Sequence, residues 1–328
     1  MRLRLGLVSE TTDQFINQVK LCLFSLRKNG GALKNIPVTL ITNSEGLSAD
    51  QEKELREKFS PLDFITSPRL GAIPHTSKLN VFYSIDPSTY DVLMFMDCDT
   101  VVSKPLDHMI DSVKNDGAQF VCRRGGTTDR NRFVNFNALV SSFCGTGRKG
   151  KILFEGKEEW PMFNSGVFLV TSEAVVSIRR DCVEFTYQLY NKWQRTDARE
   201  NLFPFIKIPV KYLYRFRFIR RLYQLKILTR QDVIDSWPLE QGAIALACIK
   251  SGVSVQYLDE MYNSWGGVEN FRILHCFKSL YKFDRQTMFA AASEEWIEEY
   301  INSDIPGKRF LGKIVREYRQ VYPGADTS

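Results

Sequence analysis

Two aspartates, Asp97 and Asp99, have the residue types and the spacing best suited to chemistry in this sequence. They follow directly on residues 92–96, a run in which every residue is apolar. In an extended chain, side chains two residues apart project to the same side, so the two carboxylates would converge. Converging carboxylates repel each other and normally hold a cation such as Mg²⁺ or Mn²⁺, which can then neutralise a phosphate. The alternative is a pair of solvated aspartates in a turn.

Two enzyme classes place an Asp-x-Asp string at the end of a buried strand. In phosphatases of the haloacid dehalogenase type the first aspartate is a nucleophile, which would be Asp97 here. In those enzymes the motif usually opens the chain, and an acidic pair of the type Gly-Asp-x-x-x-Asp follows later. Asp97 instead comes after a long series of apolar runs and helical patterns, and no such pair follows it. The phosphatase is therefore the alternative function.

Three further stretches favour the second class by their order along the chain. They are residues 163–169 (Phe-Asn-Ser-Gly-Val-Phe-Leu), 237–243 (Trp-Pro-Leu-Glu-Gln-Gly-Ala) and 273–278 (Ile-Leu-His-Cys-Phe-Lys). Together with the string from Asp97 to Asp99, they resemble the GT-A glycosyltransferases related to glycogenin and the bacterial lipopolysaccharide galactosyltransferases. The resemblance extends over residues 3–283.

This resemblance implies a metal-dependent glycosyltransferase. The donor would be a nucleotide sugar, most simply a uridine diphosphate sugar, and the acceptor a hydroxyl of a glycan or glycolipid. A retaining outcome is favoured over an inverting one. A non-catalytic carbohydrate-binding protein on the same fold is a further alternative, which the intact acidic pair argues against.

The resemblance also assigns a metal site to Asp97, Asp99 and His275, with Asp97 contacting the nucleotide ribose as well. A neutral imidazole beside two carboxylates gives a mixed nitrogen and oxygen site that suits Mn²⁺, with Mg²⁺ as the other candidate. Without the rest of the pattern, a lone histidine after two apolar residues is more often a packed core or surface residue. His75 and His108 do not lie in any of the motifs that carry the resemblance and are expected to be structural.

Donor-binding positions follow from the same resemblance. Lys78 would lie near the phosphates or the sugar, although a solvated helix lysine would look the same. Asn164 and Gly166 match a turn that lines the sugar pocket, where an amide pairs with hydroxyls and a glycine admits the ligand; a plain turn is the alternative. The remaining expected donor contacts are Val8, Ser9, Cys98 and Lys278.

The expected catalytic residues are Glu240 and Gln241. The family often has Asp-Gln-Asp at this point, so the first acid is changed conservatively and Gly242 takes the third place. In retaining relatives the glutamine lies close to the anomeric carbon, whereas an inverting enzyme needs a carboxylate base, a role open to Glu240. A second departure is Lys278, which stands where the family has glycine.

The hydrophobic pattern predicts an α/β fold of the GT-A type, with a Rossmann-like, mostly parallel sheet and flanking helices. Apolar runs alternate with helical patterns over the first hundred residues, which is the signature of βαβ units. Strands are expected at 3–8, 38–41, 64–65, 92–96, 120–122, 166–170 and 253–257, and helices at 13–28, 48–59, 77–85 and 239–250. The predicted domains are a transferase domain over 1–290 and a helical C-terminal extension over 291–328.

Composition places the chain among ordinary globular proteins. Of its 328 residues, 44% are hydrophobic and 25% charged. Seven scattered cysteines match neither a zinc spacing nor a disulfide framework. The first apolar run meets Ser9, Glu10 and Asp13 before a signal peptide could form, and no stretch approaches the roughly 20 apolar residues of a membrane span. A cytoplasmic location is therefore expected.

A basic, aromatic insertion at residues 201–231 accounts for the excess of positive charge behind the net charge of +6. It contains no acidic residue, and eight cations alternate with seven aromatic rings. Such a segment can lie on an anionic bilayer, with cations on the headgroups and rings at the interface. A helical insertion in peripheral contact with the inner face of a membrane is expected, a packed helical hairpin is the alternative, and a nucleic acid is a less favoured partner. The cations are Lys207, Lys211, Arg215, Arg217, Arg220, Arg221, Lys226 and Arg230.

Overall fold

The computed structural model describes residues 1–70, 74–125, 136–199, 201–203, 206–209, 239–276 and 292–323. The strands are β1 (Leu3–Ser9), β2 (Val38–Thr42), β3 (Leu62–Thr66), β4 (Val92–Asp97), β5 (Thr100–Val102), β6 (Phe120–Arg124), β7 (Ile152–Phe154), β8 (Lys157–Glu159), β9 (Phe163–Thr171), β10 (Asn201–Phe203), β11 (Ile206–Pro209), β12 (Val255–Leu258) and β13 (Ile273–His275). The α-helices are α1 (Asp13–Asn29), α2 (Ala49–Phe59), α3 (Val81–Ser84), α4 (Asp111–Asn115), α5 (Phe136–Cys144), α6 (Ser172–Arg199), α7 (Leu239–Ser251), α8 (Glu294–Ile301) and α9 (Pro306–Val321). Short 3₁₀ turns include Pro74–Asn80, Asp107–Ile110 and Glu260–Asn263.

A seven-stranded sheet in the order β12-β6-β9-β4-β1-β2-β3 forms the centre of the molecule. All neighbouring strands run parallel except β9, which is antiparallel to both β4 and β6. The mostly parallel α/β sheet predicted from the sequence is therefore confirmed. Strand β4, which leads into Asp97, lies between β1 and β9, so two strands cover its edges and helices cover its faces.

Burial on both faces explains why β4 is apolar throughout. Leu93 and Phe95 pack on one side of the sheet with α3, α5, α6 and α7, and Phe95 stacks on Phe168 at 4.8 Å between ring centroids. Met94 and Met96 pack on the other side with α1, α2, α8 and α9. Successive strand residues point to opposite faces, so a strand covered on both sides must be apolar at every position.

Two local predictions had different outcomes. The helix start at Ser48 is confirmed, since Ser48 Oγ accepts from the N–H of Gln51 at 3.2 Å and the Gln51 side chain accepts from the N–H of Ser48 at 3.1 Å. The helix expected at 77–85 was wrong in type and length, because the chain forms a 3₁₀ turn and then the single turn α3. Valine and aromatic residues at 81–83 have weak helix propensity, and the proline after Asp86 favours an extended backbone there.

The prediction that the basic insertion is helical was also wrong for the part that the structure describes, residues 201–203 and 206–209. Its first residues form the antiparallel pair β10 and β11, with Asn201 opposite Pro209. β-Branched Ile206 and Ile208 favour a strand over a helix. Residues 204–205 and 210–238 lie outside the described part.

The helical C-terminal segment is confirmed as helices α8 and α9. Tyr318 meets the ring of Phe24 edge-on at 5.4 Å, and Lys28 forms an ion pair with Glu317 at 2.8 Å, so α9 is joined to α1 by apolar and charged contacts. The boundary predicted at residue 290 falls outside the described residues. No helix in the described ranges is long and apolar enough to cross a membrane.

Candidate active site

Asp97 and Asp99 lie at the carboxyl end of β4, on the side of the sheet where the parallel strands end. Asp97 is the last residue of β4, whereas Asp99 lies in the two-residue turn before β5. The two carboxylates therefore lie close together, as predicted. The cause differs from the prediction, because Asp99 is placed by a turn and not by a continuous extended strand. The side chain of Asp97 is 13% exposed and that of Asp99 29%.

His275 reaches these aspartates through strand pairing. Strands β5 and β13 pair antiparallel with His275 opposite Thr100, and the N–H of Cys276 donates to the carbonyl of Asp99 at 2.8 Å. His275 Nε2 lies 3.3 Å from Asp99 Oδ1 and 3.8 Å from Asp97 Oδ2. One ligand atom from each of the three residues lies within 4.8 Å of the others. The metal group predicted from the resemblance is thus assembled in the fold.

Asp97, Asp99 and His275 change each other's pKa values. Burial pulls the pKa of His275 down, but the carboxylates of Asp99 and Asp97 outweigh it and raise the pKa above its ordinary value. Burial raises the pKa of Asp97, and Lys78 only partly offsets it. Burial also acts to raise the pKa of Asp99, but the facing imidazole lowers it below its usual range. Two carboxylates and one imidazole in this arrangement offer three ligand atoms that could hold a cation.

Lys78 is not a solvated lysine. Its Nζ donates to Asp97 Oδ2 at 2.7 Å and lies 3.5 Å from Ser165 Oγ. Burial lowers the pKa of Lys78, but Asp97 and Glu240 outweigh that effect and raise it. The side chain therefore stays charged and joins the aspartates to the next part of the site.

Glu240 occupies the first turn of α7 and is 2% exposed. Ser165 Oγ donates to its Oε1 at 3.2 Å, and its Oε2 makes no hydrogen bond within the described residues. Burial raises the pKa of Glu240 to about 7. This carboxyl group can therefore hold a proton near neutral pH, which an exposed glutamate cannot. Gln241 follows in the same turn and is half-buried.

Asn164 and Gly166 are committed to other protein groups. Asn164 Oδ1 accepts from the N–H of Gly166 at 3.0 Å and from Asn263 Nδ2 at 3.0 Å. A Cβ atom at Gly166 would lie 2.8 Å from the ring of His275 and 3.0 Å from Asn263 Nδ2. We expected this glycine to admit a ligand, but the space is filled by His275 and Asn263, so its absent side chain makes room for them.

A solved galactosyltransferase, LgtC in complex with donor and acceptor sugar analogues, shares this architecture. Its TM-score is 0.50 at 12% identity, and the match covers 96% of this chain and 95% of that one. The chain has a GT-A glycosyltransferase fold. Mouse xyloside xylosyltransferase 1 also matches, with a TM-score of 0.43 and 12% identity over 83% of this chain and 97% of that one. No protein-family model and no curated protein sequence matches the chain.

The remaining predicted positions are the expected donor contacts in β1 and at Cys98 and Lys278, and the two histidines expected to be structural. Val8 pairs with Asp97 across β1 and β4, and Ser9 follows it at the same edge. The thiol of Cys98 contacts Gln18 Oε1 at 3.3 Å, so any donor contact at Cys98 would have to come from its backbone. Lys278 and the side chain of His75 lie outside the described residues, and His108 is exposed beside Asp111 at 3.1 Å.

Two residues of this site, Ser165 and Asn263, were missed in the sequence. Ser165 lies within the stretch that carries the resemblance, between Asn164 and Gly166, and its burial to 1% exposure was the missing signal. Asn263 is fully buried at the end of a 3₁₀ turn. No local pattern marks it, because its partners come from β9 and β13.

Proposed function

We propose that this protein is a metal-dependent glycosyltransferase that moves a sugar from a uridine diphosphate sugar to a hydroxyl of a glycan or glycolipid. The observation that carries the proposal is the convergence of Asp97, Asp99 and His275 at the carboxyl edge of the parallel strands. Loops meet at this edge in open α/β sheets, and ligands bind there. The GT-A fold supports sugar transfer as the reaction.

The donor set fits Mn²⁺ or Mg²⁺. Carboxylate oxygens suit both ions, and an imidazole nitrogen shifts the preference towards Mn²⁺. Asp97, Asp99 and His275 would hold the ion, which when bound supplies electrostatic stabilisation to the departing diphosphate. Lys78 adds a second positive charge beside Asp97, where it can approach a phosphate or a sugar hydroxyl.

Glu240 and Gln241 would act at the sugar. A carboxyl group that keeps its proton near pH 7 donates a hydrogen bond, so Glu240 can orient a hydroxyl of the sugar or the acceptor. Gln241 would lie near the anomeric carbon, as in retaining relatives, and we therefore propose a retaining outcome. Val8, Ser9, Asn164 and Lys278 would complete the donor pocket.

A panel of nucleotide sugars, each with Mn²⁺, tests the proposal by thermal shift and by slow donor hydrolysis. We expect a uridine diphosphate sugar to raise Tm only when Mn²⁺ is present, and to be hydrolysed. Strong phosphomonoesterase activity without nucleotide-sugar binding, lost in Asp97→Asn, would favour the phosphatase instead. Binding of glycans without donor turnover would favour the non-catalytic alternative.

We also propose that the basic insertion contacts an anionic membrane at its cytoplasmic face, where a glycolipid acceptor would lie. Reversing the charges of Arg217, Arg220 and Arg221 should release the protein from anionic vesicles and leave Mn²⁺-dependent donor binding unchanged. Salt should have the same effect, because screening shortens the reach of charges to about 8 Å at physiological ionic strength. Neutral vesicles are the control, and a parent protein that ignores anionic vesicles would refute this part.

A further inference from the structure

We infer that Trp265 is a platform on which a sugar ring of the acceptor stacks. This role rests on the proposed glycosyl transfer and adds to it a binding place for the second substrate. Three observations support it: the exposure of the indole ring, the contacts that hold the ring, and its position beside the proposed metal site.

Trp265 presents a large apolar ring to solvent. Of the three tryptophans whose side chains the structure describes, Trp160 and Trp296 are half-buried, whereas 46% of Trp265 is exposed. Val268, on the same loop, is exposed as well. Single exposed apolar side chains are common on protein surfaces, but two on one short loop indicate a contact surface.

A cation holds the indole ring in place. The guanidinium carbon of Arg123 lies over the ring of Trp265, 5.1 Å from its centre, which is the range of a cation–π contact. Arg123 is itself fixed, since it donates to the carbonyl of Asn263 and lies 3.8 Å from Glu260 Oε1. The guanidinium therefore orients the ring and still leaves nearly half of the side chain exposed.

The backbone on both sides of Trp265 is anchored. The carbonyl of Ser264 accepts from the N–H of His275 at 2.8 Å. The N–H of Gly266 donates to Ser264 Oγ at 3.2 Å, and the carbonyl of Gly266 accepts from the N–H of Gly307 in α9 at 2.9 Å. A ring on a fixed loop loses little conformational entropy when a ligand binds to it.

The same pairing places Trp265 beside the proposed metal site. Ser264 forms a parallel bridge with Leu274. Trp265 follows Ser264 just as His275 follows Leu274, so the two segments run alongside each other towards the same end of the sheet. Trp265 therefore lies next to a proposed ligand of the ion.

The strand order gives the metal site two sides. The expected donor positions Val8 and Ser9 lie on β1, which neighbours β4 on one side. Arg123 lies near the carboxyl end of β6, beyond β9 on the other side of β4, and its contact with Trp265 joins the ring to that side. A donor bound over β1 and β4 would leave the β6 side for the acceptor.

The chemistry of the ring fits a sugar. One face of a pyranose carries mostly C–H groups, which pack on an aromatic ring, whereas its hydroxyls point outwards and need polar partners. The guanidinium of Arg123 carries five N–H donors and can donate to such hydroxyls. One indole ring matches one sugar residue, whereas a protein partner would bury a much wider surface.

The first readout is the indole N–H signal of Trp265 in ¹H–¹⁵N correlation spectra of the metal-free protein. The chain has five tryptophans, and the signal that disappears in Trp265→Phe is assigned to Trp265. The probes are the methyl glycosides of glucose, galactose and N-acetylglucosamine and the disaccharides lactose and maltose, each without nucleotide. We expect at least one probe to shift this signal more than the other indole signals. A Trp265 signal that no probe moves would overturn the inference.

The second readout is the dissociation constant of the probe that binds best, from the same titration. Trp265→Ala should weaken binding by about tenfold or more, as for the loss of an aromatic anchor, and equal binding by this variant would contradict the inference. Trp265→Phe keeps a ring and should retain most of the affinity. Tyr187→Ala, which removes a ring that is 47% exposed on α6, is the matched control and should bind as the parent does. If Trp265→Ala does not fold, Trp265→Leu takes its place, because leucine keeps apolar volume against Arg123 but offers no ring.

The outcomes separate this role from the proposed function. If a uridine diphosphate sugar binds and turns over but no saccharide moves the Trp265 signal, the proposed function holds and the stacking role fails. If no nucleotide sugar binds but a saccharide still moves the signal, the proposed function fails, while the stacking of a sugar on Trp265 is supported. If anionic vesicles move the signal and saccharides do not, the ring contacts a membrane instead, which also overturns the inference.

Discussion

Two adjoining clusters of polar side chains contain buried acids in different surroundings. The carboxylate–imidazole cluster (Asp97, Asp99 and His275) gathers two acids side by side, and Lys78 and His275 offset only part of the cost of burying Asp97, whose pKa stays raised. The buried polar cluster (Lys78, Ser165 and Glu240) holds a single acid that is 2% exposed, whose raised pKa of about 7 lets it stay protonated beside the ammonium group of Lys78. Lys78 joins the two through its 2.7 Å contact with Asp97.

The difference follows from the elements that build each cluster. Asp99 lies in a turn and His275 at the end of a three-residue strand, so their ligand atoms lie at the carboxyl end of β4, where the side chain of Asp99 is 29% exposed. Glu240 is the second residue of a helix packed in the core, where an ionised carboxylate without full hydrogen bonding is costly. The first cluster is therefore suited to take up a cation, and the second to keep a proton.

The largest effect is expected from Asp99→Ala. It removes one ligand of the proposed ion without emptying the core, so transfer should fall by about 10³-fold or more while the fold is retained. Donor turnover with saturating Mn²⁺ and a thermal melt measure the two effects. Asp111→Ala, which removes an exposed acid paired with His108, is the control and should change neither.

His275→Ala should come next, with Mn²⁺ affinity reduced by about 10–100-fold and a smaller preference for Mn²⁺ over Mg²⁺. Metal and proton compete for the ring, and its pKa is raised above 6.5, so parent affinity should fall as pH drops through that raised pKa. The variant should lose this component of the pH dependence. Metal titrations at several pH values measure it, and His108→Ala should behave as the parent does.

The main strands and the acidic pair could be predicted because their signals are local. An apolar run such as residues 92–96 and a cap such as Ser48 with Gln51 are visible in a few consecutive residues. The reversed direction of β9 and the pairing of β5 with β13 were not visible, because the pairing joins three-residue strands far apart in the chain. Local periodicity carries no register between distant segments.

The site was predictable where residue type, spacing or the order of motifs carried a signal. Asp97 and Asp99 were found from their spacing after a buried strand, and His275 from the resemblance of the ordered motifs to GT-A glycosyltransferases. Ser165 and Asn263 were missed because a serine or an asparagine gains its role only from burial and from partners. The contacts of Gly166 were not predictable for the same reason, since His275 and Asn263, which fill the space beside it, come from another part of the chain.

Lys78→Met tests the link between the two clusters. Removing the ammonium group leaves Asp97 without its 2.7 Å partner, so the metal-free protein should lose about 3 kcal/mol of stability, the low end for a broken buried ion pair. Bound Mn²⁺ should reduce this loss, because the ion would neutralise the same carboxylate. Urea unfolding with and without Mn²⁺ measures the difference, and Lys313→Met on the exposed face of α9 is the control. An equal loss in both conditions would mean that Lys78 and the ion do not share Asp97.

At pH 5 the smallest effect is expected from Glu240→Gln, which keeps an acceptor for Ser165 and removes the titrating proton. The folded-state pKa of Glu240 is raised from 4.5 to about 7, so the folded state binds this proton more tightly than the unfolded chain does. This contribution to stability is complete below about pH 4.5 and is lost as pH rises through 7, with a slope of at most about 1.4 kcal/mol per pH unit. The variant should lack this decline, so the difference in free energy of unfolding between variant and parent, measured in urea, should grow between pH 5 and 8. Glu260→Gln, which changes a side chain that is 90% exposed, is the control and should follow the parent. A Glu240→Gln curve that runs parallel to the parent curve would show that Glu240 is ionised in the folded protein, with Lys78 as its counter-charge.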